Sequence, residues 1–375
     1  MSTPAQGGRG GVSRPGLFMP LPLVYEPFNA PAGKLNPMTS LLPFDDIREM
    51  FKLMPQLDPG AEAAARARDL DLTKPPGALG ELETMALFVA GWQGKARPSF
   101  ERPNIVVFAG NHGVVERGVS PYPASVTRAM MQNFSVGGAA INQICASYGL
   151  GLKVFELALD LPTRDITVAA AMDEKEAAAT FAFGMEAIAG GADVLGLGEM
   201  GIGNTTIAAA IYTALYGGKA ADWVGRGTGV DDAGLQRKIA AVEAALALHK
   251  DHLNDPLEIM RRLGGREIAA MAGAIMAARL ERVPVMLDGY VVCAAAALLH
   301  AIDATALDHC LAGHVSAEGA HARVLARLGK KPILDFGMRL GEGSGAALAL
   351  GIMKAAIACH NDMATFSEAG VANKS

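Results

Sequence analysis

Five short apolar runs punctuate the chain beyond residue 100: Ile105-Val106-Val107-Phe108, Leu152-Lys153-Val154-Phe155, Val194-Leu195-Gly196-Leu197, Val283-Pro284-Val285-Met286-Leu287 and Pro332-Ile333-Leu334-Asp335-Phe336. Each has the length of a buried strand, and alanine-rich stretches of helical character separate them. A strand that gives way to a helix before the next strand begins builds parallel pairs. The pattern therefore predicts an α/β fold with an open, mainly parallel sheet, helices on both faces and Rossmann-like topology. The stretch 82–92 and the stretch after Ser344 read as helices from opposite ends of the chain, expected to pair in a small helical domain built from N- and C-terminal segments. The expected organisation is a flexible or draped arm over 1–44, a helical segment of the small domain over 45–100, a large α/β domain over 101–345 and a C-terminal helical segment of the small domain over 346–375.

The arm carries Gly7-Gly8-Arg9-Gly10-Gly11 and several prolines, a composition that builds no core of its own. Prolines break each of its apolar stretches, so it does not read as a secretory signal. The apolar runs 291–302 and 346–358 are too short or interrupted to span a bilayer, and Lys354 falls inside the second. A chain of 375 residues with 51% hydrophobic content supports sizeable cores. Its formal net charge of −5 supplies no basic field for nucleic acid or an anionic membrane. Cys145, Cys293, Cys310 and Cys359 are scattered, without metal-ligand spacing, and read as reduced core residues of a cytoplasmic protein. No metal site is expected.

Glycine-rich turns stand where strands should hand over to helices. Gly341-Glu342-Gly343-Ser344-Gly345 strands one carboxylate among glycines at the mouth of an apolar helix. In an α/β sheet that edge is where ligands bind, and flanking glycines admit a ligand close to the backbone. Glu342 is thus a candidate general base; from this turn alone, it is equally a partner for the first-turn amides and the helix dipole. Gly198-Glu199-Met200-Gly201-Ile202-Gly203-Asn204-Thr205-Thr206 precedes a helix expected over 207–216 and offers unblocked amides suited to a phosphate, with Asn204 or Thr205 as the expected cap. Gly225-Arg226-Gly227-Thr228-Gly229 precedes a helix expected over 235–249. There Arg226 and Lys238 are either anion partners or solvated surface cations. In Ala312-Gly313-His314-Val315-Ser316-Ala317-Glu318, Ser316 offers a hydroxyl at a helix start or a simple N-cap. Residues 196–201 formally match GxGxxG, but the helix is expected only after Asn204, and no second strand ends in an acidic residue at the required distance. A P-loop fares worse, because Asn204-Thr205 follows Gly203 where a Lys-Ser or Lys-Thr is required.

In order along the chain, Leu72-Thr73-Lys74-Pro75-Pro76-Gly77-Ala78-Leu79-Gly80, Phe108-Ala109-Gly110-Asn111-His112-Gly113-Val114, the turn 198–206 and Gly225-Arg226-Gly227-Thr228-Gly229 are followed by Gly264-Gly265-Arg266-Glu267-Ile268, Leu287-Asp288-Gly289, His314-Val315-Ser316-Ala317-Glu318 and Arg339-Leu340-Gly341-Glu342-Gly343-Ser344-Gly345. This series resembles the nicotinate-nucleotide:dimethylbenzimidazole phosphoribosyltransferases of cobalamin lower-ligand synthesis, from about residue 70 to the C-terminus. The resemblance implies transfer of the ribose phosphate of nicotinate mononucleotide to dimethylbenzimidazole, with inversion at the anomeric carbon and release of nicotinate and α-ribazole phosphate. It implies Glu342 as the base that takes the benzimidazole proton. It implies that Glu199, Gly201, Ile202, Gly203, Asn204, Gly225, Arg226, Lys238, Gly264 and Ser316 hold the nucleotide, and that Tyr122, Met130 and Leu340 line the benzimidazole slot. A homodimer and the absence of any cofactor follow from the same resemblance. Asn111 departs from the Asp associated with many members at its turn, and His112 reads equally well as a partner for a backbone carbonyl.

The residues rationalise that chemistry. A cationic pyridinium leaves as a neutral ring nitrogen without needing a proton, whereas the benzimidazole N–H must lose one, so a single carboxylate suffices. A helix N-terminus lowers the pKa of that carboxylate and an apolar pocket raises it. The competing readings are an NAD-binding oxidoreductase and a non-catalytic nucleotide sensor that has kept the pocket.

Overall fold

The computed structural model describes residues 43–372, so the arm expected over 1–44 lies outside the described residues apart from Pro43 and Phe44. Six strands form one sheet, β1 Pro103–Ala109, β2 Gly151–Glu156, β3 Val194–Met200, β4 Val285–Leu287, β5 Cys310–His314 and β6 Pro332–Leu334, in the order β2-β1-β3-β4-β5-β6. All neighbours are parallel. Each of the five apolar runs coincides with a strand, and the α/β architecture is the one expected.

Two strands differ from their sequence reading. β3 runs on to Met200, so Gly198 and Glu199 belong to the strand rather than to the turn after it. β5 falls where the sequence suggests only a turn: Cys310-Leu311-Ala312-Gly313-His314 has no β-branched residue, and its extended state comes from pairing on both sides, to β4 and β6.

Alternation along the strands divides the apolar residues between two cores. Val106 and Phe108 of β1 join Leu195 and Leu197 of β3 on one face, under the helices Glu174–Met185, Asn204–Tyr216, Arg266–Leu280 and Tyr290–Ile302. Ile105 and Val107 face the other core with Phe134, Ile141, Leu350 and Met353. The helix Ser344–Asp362 crosses this second face, contacting β3, β4, β5 and β6, and its far end reaches the helix Glu81–Gln93.

The helices Pro59–Asp71 and Glu81–Gln93 pack on one another, and the ammonium of Lys74 joins them through Asp69 at 3.0 Å and Glu83 at 2.9 Å. Arg68 donates to the carbonyls of His360, Asn361 and Met363, satisfying the otherwise unpaired C-terminal end of the helix Ser344–Asp362. The helix Pro43–Phe51 goes elsewhere, against Glu174–Met185, where the Phe44 amide donates to Glu174. Among the described residues no helix is long and apolar enough to cross a membrane.

The chain passes from β1 outward to β2 and then returns to place β3 on the opposite side of β1. The strand order reverses there. In open α/β sheets a crevice forms at the carboxyl ends flanking such a reversal.

Candidate active site

A cleft lies at that edge, lined by Glu199, Gly201, Asn204 and Thr205 from the end of β3, Gly227 and Thr228 from the second glycine turn, His314, Ser316 and Glu318 after β5, and Arg339, Leu340 and Gly341 after β6. Of the residues singled out in the sequence, Glu199, Gly201, Ile202, Asn204, Ser316 and Leu340 line it directly. Gly203 lies between two of them. It adopts φ +90° at the N-cap of Asn204–Tyr216, with no side-chain cap; the amides of Asn204 and Thr206 are taken by the carbonyls of Gly201 and Gly203, and the Ile202 amide by the Thr127 hydroxyl.

Neither Asn204 nor Thr205 caps that helix, contrary to expectation. The Asn204 amide nitrogen donates to Glu199, and the Thr205 hydroxyl accepts from Lys238 at 2.9 Å. Lys238 is not a surface cation: it is 1% exposed and donates to the Gly225 carbonyl at 2.7 Å as well, tying the two glycine turns together from behind. Burial pushes its ammonium down to about 8, with the Glu318 charge acting in the opposite sense.

Arg226 stays exposed, paired with Asp232 and bonded to the Val230 carbonyl, outside the cleft lining. Glu318 takes the interior place instead, accepting from the Gly227 amide at 3.0 Å, while Arg339 donates to the Gly227 carbonyl at 2.9 Å. Ser316 is not a helix N-cap. The next helix, His321–Arg327, is capped at Ala320; the Ser316 amide donates to His321 Nδ1 and its hydroxyl accepts from the Glu318 amide.

Tyr122 is exposed and Met130 is packed beside the second core, both outside the cleft lining. Gly264 caps the helix Pro256–Leu263 next to Gly265, whose Cα faces a buried pair, His112 Nε2 and Glu267 Oε1 at 2.9 Å. His112 therefore meets a carboxylate rather than a backbone carbonyl. Asn111 donates to the Leu159 carbonyl at 3.0 Å, a bond that an ionised Asp could not make.

Glu342 occupies an unusual backbone position. Gly341, Glu342 and Gly343 have φ of +85°, +62° and +82°, and Glu342 is one of only three non-glycine residues with positive φ among the described residues. A side chain in that conformation costs roughly 1–2 kcal/mol relative to glycine, a strain that clusters at functional sites. The turn reaches this place because β3 carries no side chain at Gly198: a Cβ there would stand 2.6 Å from the Glu342 carbonyl carbon and 2.7 Å from its oxygen.

The carboxylate of Glu342 does not serve its own helix. Asp288, fully buried at the end of β4, accepts from the amides of Gly345 at 2.8 Å, Ala346 at 3.0 Å and Gly343 at 3.3 Å. Glu342 is 6% exposed, and its Oε2 has no hydrogen-bond partner among the described residues. Burial raises its pKa above the ordinary carboxylate value; a bond from the Ile141 amide opposes the rise and the Asp288 charge adds to it. Of the two effects weighed from the sequence, burial prevails. Desolvation and the charges of Asp288, Glu267 and Glu342 likewise push Glu199 up to about 8, against its bond from Asn204.

Sequence reasoning assigns no role to Asp288, His314, Glu318 or Arg339. Their signal lies in the motifs Leu287-Asp288-Gly289 and His314-Val315-Ser316-Ala317-Glu318, and in Arg339 close to Glu342, but their partners are distant in sequence. The assembled site holds a glycine-led helix start without a side-chain cap, a buried cation behind it and, beside the cleft, a carboxylate oxygen without a partner among the described residues.

Comparison with known proteins agrees with this architecture. The family described as Phosphoribosyltransferase matches residues 54–371. The chain is 70% identical over 332 residues to a nicotinate-nucleotide–dimethylbenzimidazole phosphoribosyltransferase of Methylocella silvestris, covering 88% of this chain and 97% of that protein. It is 65% identical over 333 residues to the protein of the same name from Rhizobium rhizogenes, covering 89% and 98%. The crystal structure of a protein of that name from Thermus thermophilus superposes with a TM-score of 0.76 at 41% identity, covering 85% of this chain and all of that one.

Proposed function

The chain belongs to the nicotinate-nucleotide–dimethylbenzimidazole phosphoribosyltransferase family, and from that premise we propose that it moves the phosphoribosyl group of nicotinate mononucleotide to dimethylbenzimidazole, releasing nicotinate and forming α-ribazole 5'-phosphate. The observation that carries the reading is Glu342: buried on a left-handed turn next to Gly341, which lines the cleft, with no hydrogen-bond partner for its Oε2 among the described residues.

The phosphate of the nucleotide lies against the uncapped start of the helix Asn204–Tyr216, with the Lys238 charge behind it. One benzimidazole nitrogen attacks the anomeric carbon from the face opposite the pyridinium, which inverts that centre. Glu342 takes the proton from the other ring nitrogen as the new bond forms. Nicotinate leaves as a neutral pyridine nitrogen, so neither a general acid nor a Lewis acid enters the step. Raised by burial, the Glu342 pKa moves toward that of the benzimidazolium proton it must accept, which favours transfer. Holding both rings in the cleft supplies orientation. Leu340, which lines the cleft, borders the base, and the enzyme works as a homodimer in this reading.

Incubation with nicotinate mononucleotide and a panel of benzimidazole, purine and phenolic bases, followed by identification of products by mass, tests the proposal. Equimolar nicotinate and α-ribazole phosphate are expected with dimethylbenzimidazole. Saturable NAD binding without nicotinate release would favour an oxidoreductase, and nucleotide binding without turnover a sensor.

A further inference from the structure

The side chain that aims Glu342 comes from a different strand. Asp288 precedes the helix Tyr290–Ile302, whose N-cap is Gly289, but its carboxylate turns away from that helix to take three amides of the 343–346 segment. The amide of Ser344 is occupied within the turn by the Gly341 carbonyl at 3.0 Å, and the Ser344 hydroxyl bonds the same oxygen at 2.7 Å. On its other side Asp288 faces His314 Nε2, 3.5 Å from Oδ1, and the His314 ring lies against Gly345.

We propose that Asp288, steadied by His314, is the positioning residue of the proposed general base: it anchors the amides that follow Glu342 and so fixes where that carboxylate points. The inference rests on the phosphoribosyl-transfer reading above. Two physical features support it. Residues in the left-handed region return to ordinary backbone conformations unless their surroundings overdetermine them, and three hydrogen bonds to one buried carboxylate are such a constraint. Asp288 also lies near enough for its charge to bear on Glu342. The groups facing these two carboxylates are Glu199 on β3, His314 on β5, Cys293 on the helix Tyr290–Ile302 and the Ile141 amide.

Asp288→Asn keeps the shape but sets an NH2 or a neutral oxygen against amide donors. The expected result, with kcat and KM measured for both substrates across pH, is a fall in kcat of about 10- to 100-fold with each KM within about threefold of wild type. Removing the negative charge beside Glu342 also lowers its pKa, so the acidic limb of the profile moves to lower pH. A folded variant with kcat within about twofold of wild type, or one that loses kcat only in step with rising KM, overturns the inference. If Asp288→Asn does not fold, His314→Gln decides by the same split between kcat and KM. Glu342→Gln is run alongside. An active wild type, a slow Glu342→Gln and an unaffected Asp288→Asn would sink the positioning role alone, whereas a wild type that releases no nicotinate would sink the transferase reading and this inference with it.

Discussion

Gly198→Ala adds one methyl group to the spot where the Glu342 turn rests on β3. The new Cβ would lie 2.6 Å from the Glu342 carbonyl carbon, and both partners are backbone, so no flexible side chain can give way. To regain van der Waals separation the turn must withdraw by about 0.8–1 Å. Overpacking of that kind costs roughly 1–3 kcal/mol in stability. The functional cost is of similar size, because a displacement near 1 Å of a group that must meet a proton in the transition state lowers turnover by up to about 100-fold. The assay is steady-state nicotinate release with thermal unfolding beside it, and Gly319→Ala is the control, since a Cβ there meets nothing within 4 Å. The expected pattern is a kcat loss of about 10- to 100-fold in Gly198→Ala with nucleotide KM kept, a modest fall in melting temperature, and no change in the control. Wild-type kcat in a folded Gly198→Ala protein would refute the claim that the close approach of turn and strand sets the base.

At the anion site, Gly203→Ala forces a side chain into φ +90° and sets a Cβ 2.9 Å from Val115, so calorimetry should show at least about tenfold weaker binding of nicotinate mononucleotide with dimethylbenzimidazole little affected; equal loss of both ligands would contradict the phosphate assignment. Lys238 keeps its charge below about 8 and loses it above, so the nucleotide KM should climb as pH rises through that value, and Lys238→Met should show a KM raised and flat over the same range. Persistence of the climb in the Met variant would assign it to Glu199, also pushed up to about 8. Exhaustive chelation should leave the rate unchanged, since the pyridinium already carries the charge that a Lewis acid would impose; loss of activity restored by one divalent ion would contradict this.

Much of the architecture is legible in the sequence because β1 and the first part of β3 are buried, nearly continuous apolar runs, as a doubly covered parallel sheet requires, while β2, an edge strand, keeps enough apolar residues around Lys153 to be read. β5 is not, since Cys310-Leu311-Ala312-Gly313-His314 owes its extended state to neighbours on either side. Within the site, the glycines around Glu342 announce a ligand-facing turn, but which amides answer which carboxylate is hidden. Asp288 reaches amides 55 to 58 residues away, and no local pattern encodes that. Local propensity misleads for the same reason at Asn204, Thr205 and Ser316. Each is a good capping residue by type, but Glu199, Lys238 and the 316–321 turn compete for its side chain or amide. Spacing brings Lys238 toward the second glycine turn without revealing that it is buried between Thr205 and Gly225.

Everything in the proposed chemistry converges on one proton. The most direct measurement is single-turnover nicotinate release in the presence of saturating dimethylbenzimidazole, comparing wild type with Glu342→Gln, together with calorimetric affinities for both substrates. Glutamine preserves shape and removes the acceptor, so the rate should fall by roughly two to four decades while affinities hold. A folded Glu342→Gln protein that releases nicotinate at the wild-type rate would contradict the assignment of Glu342 as the base.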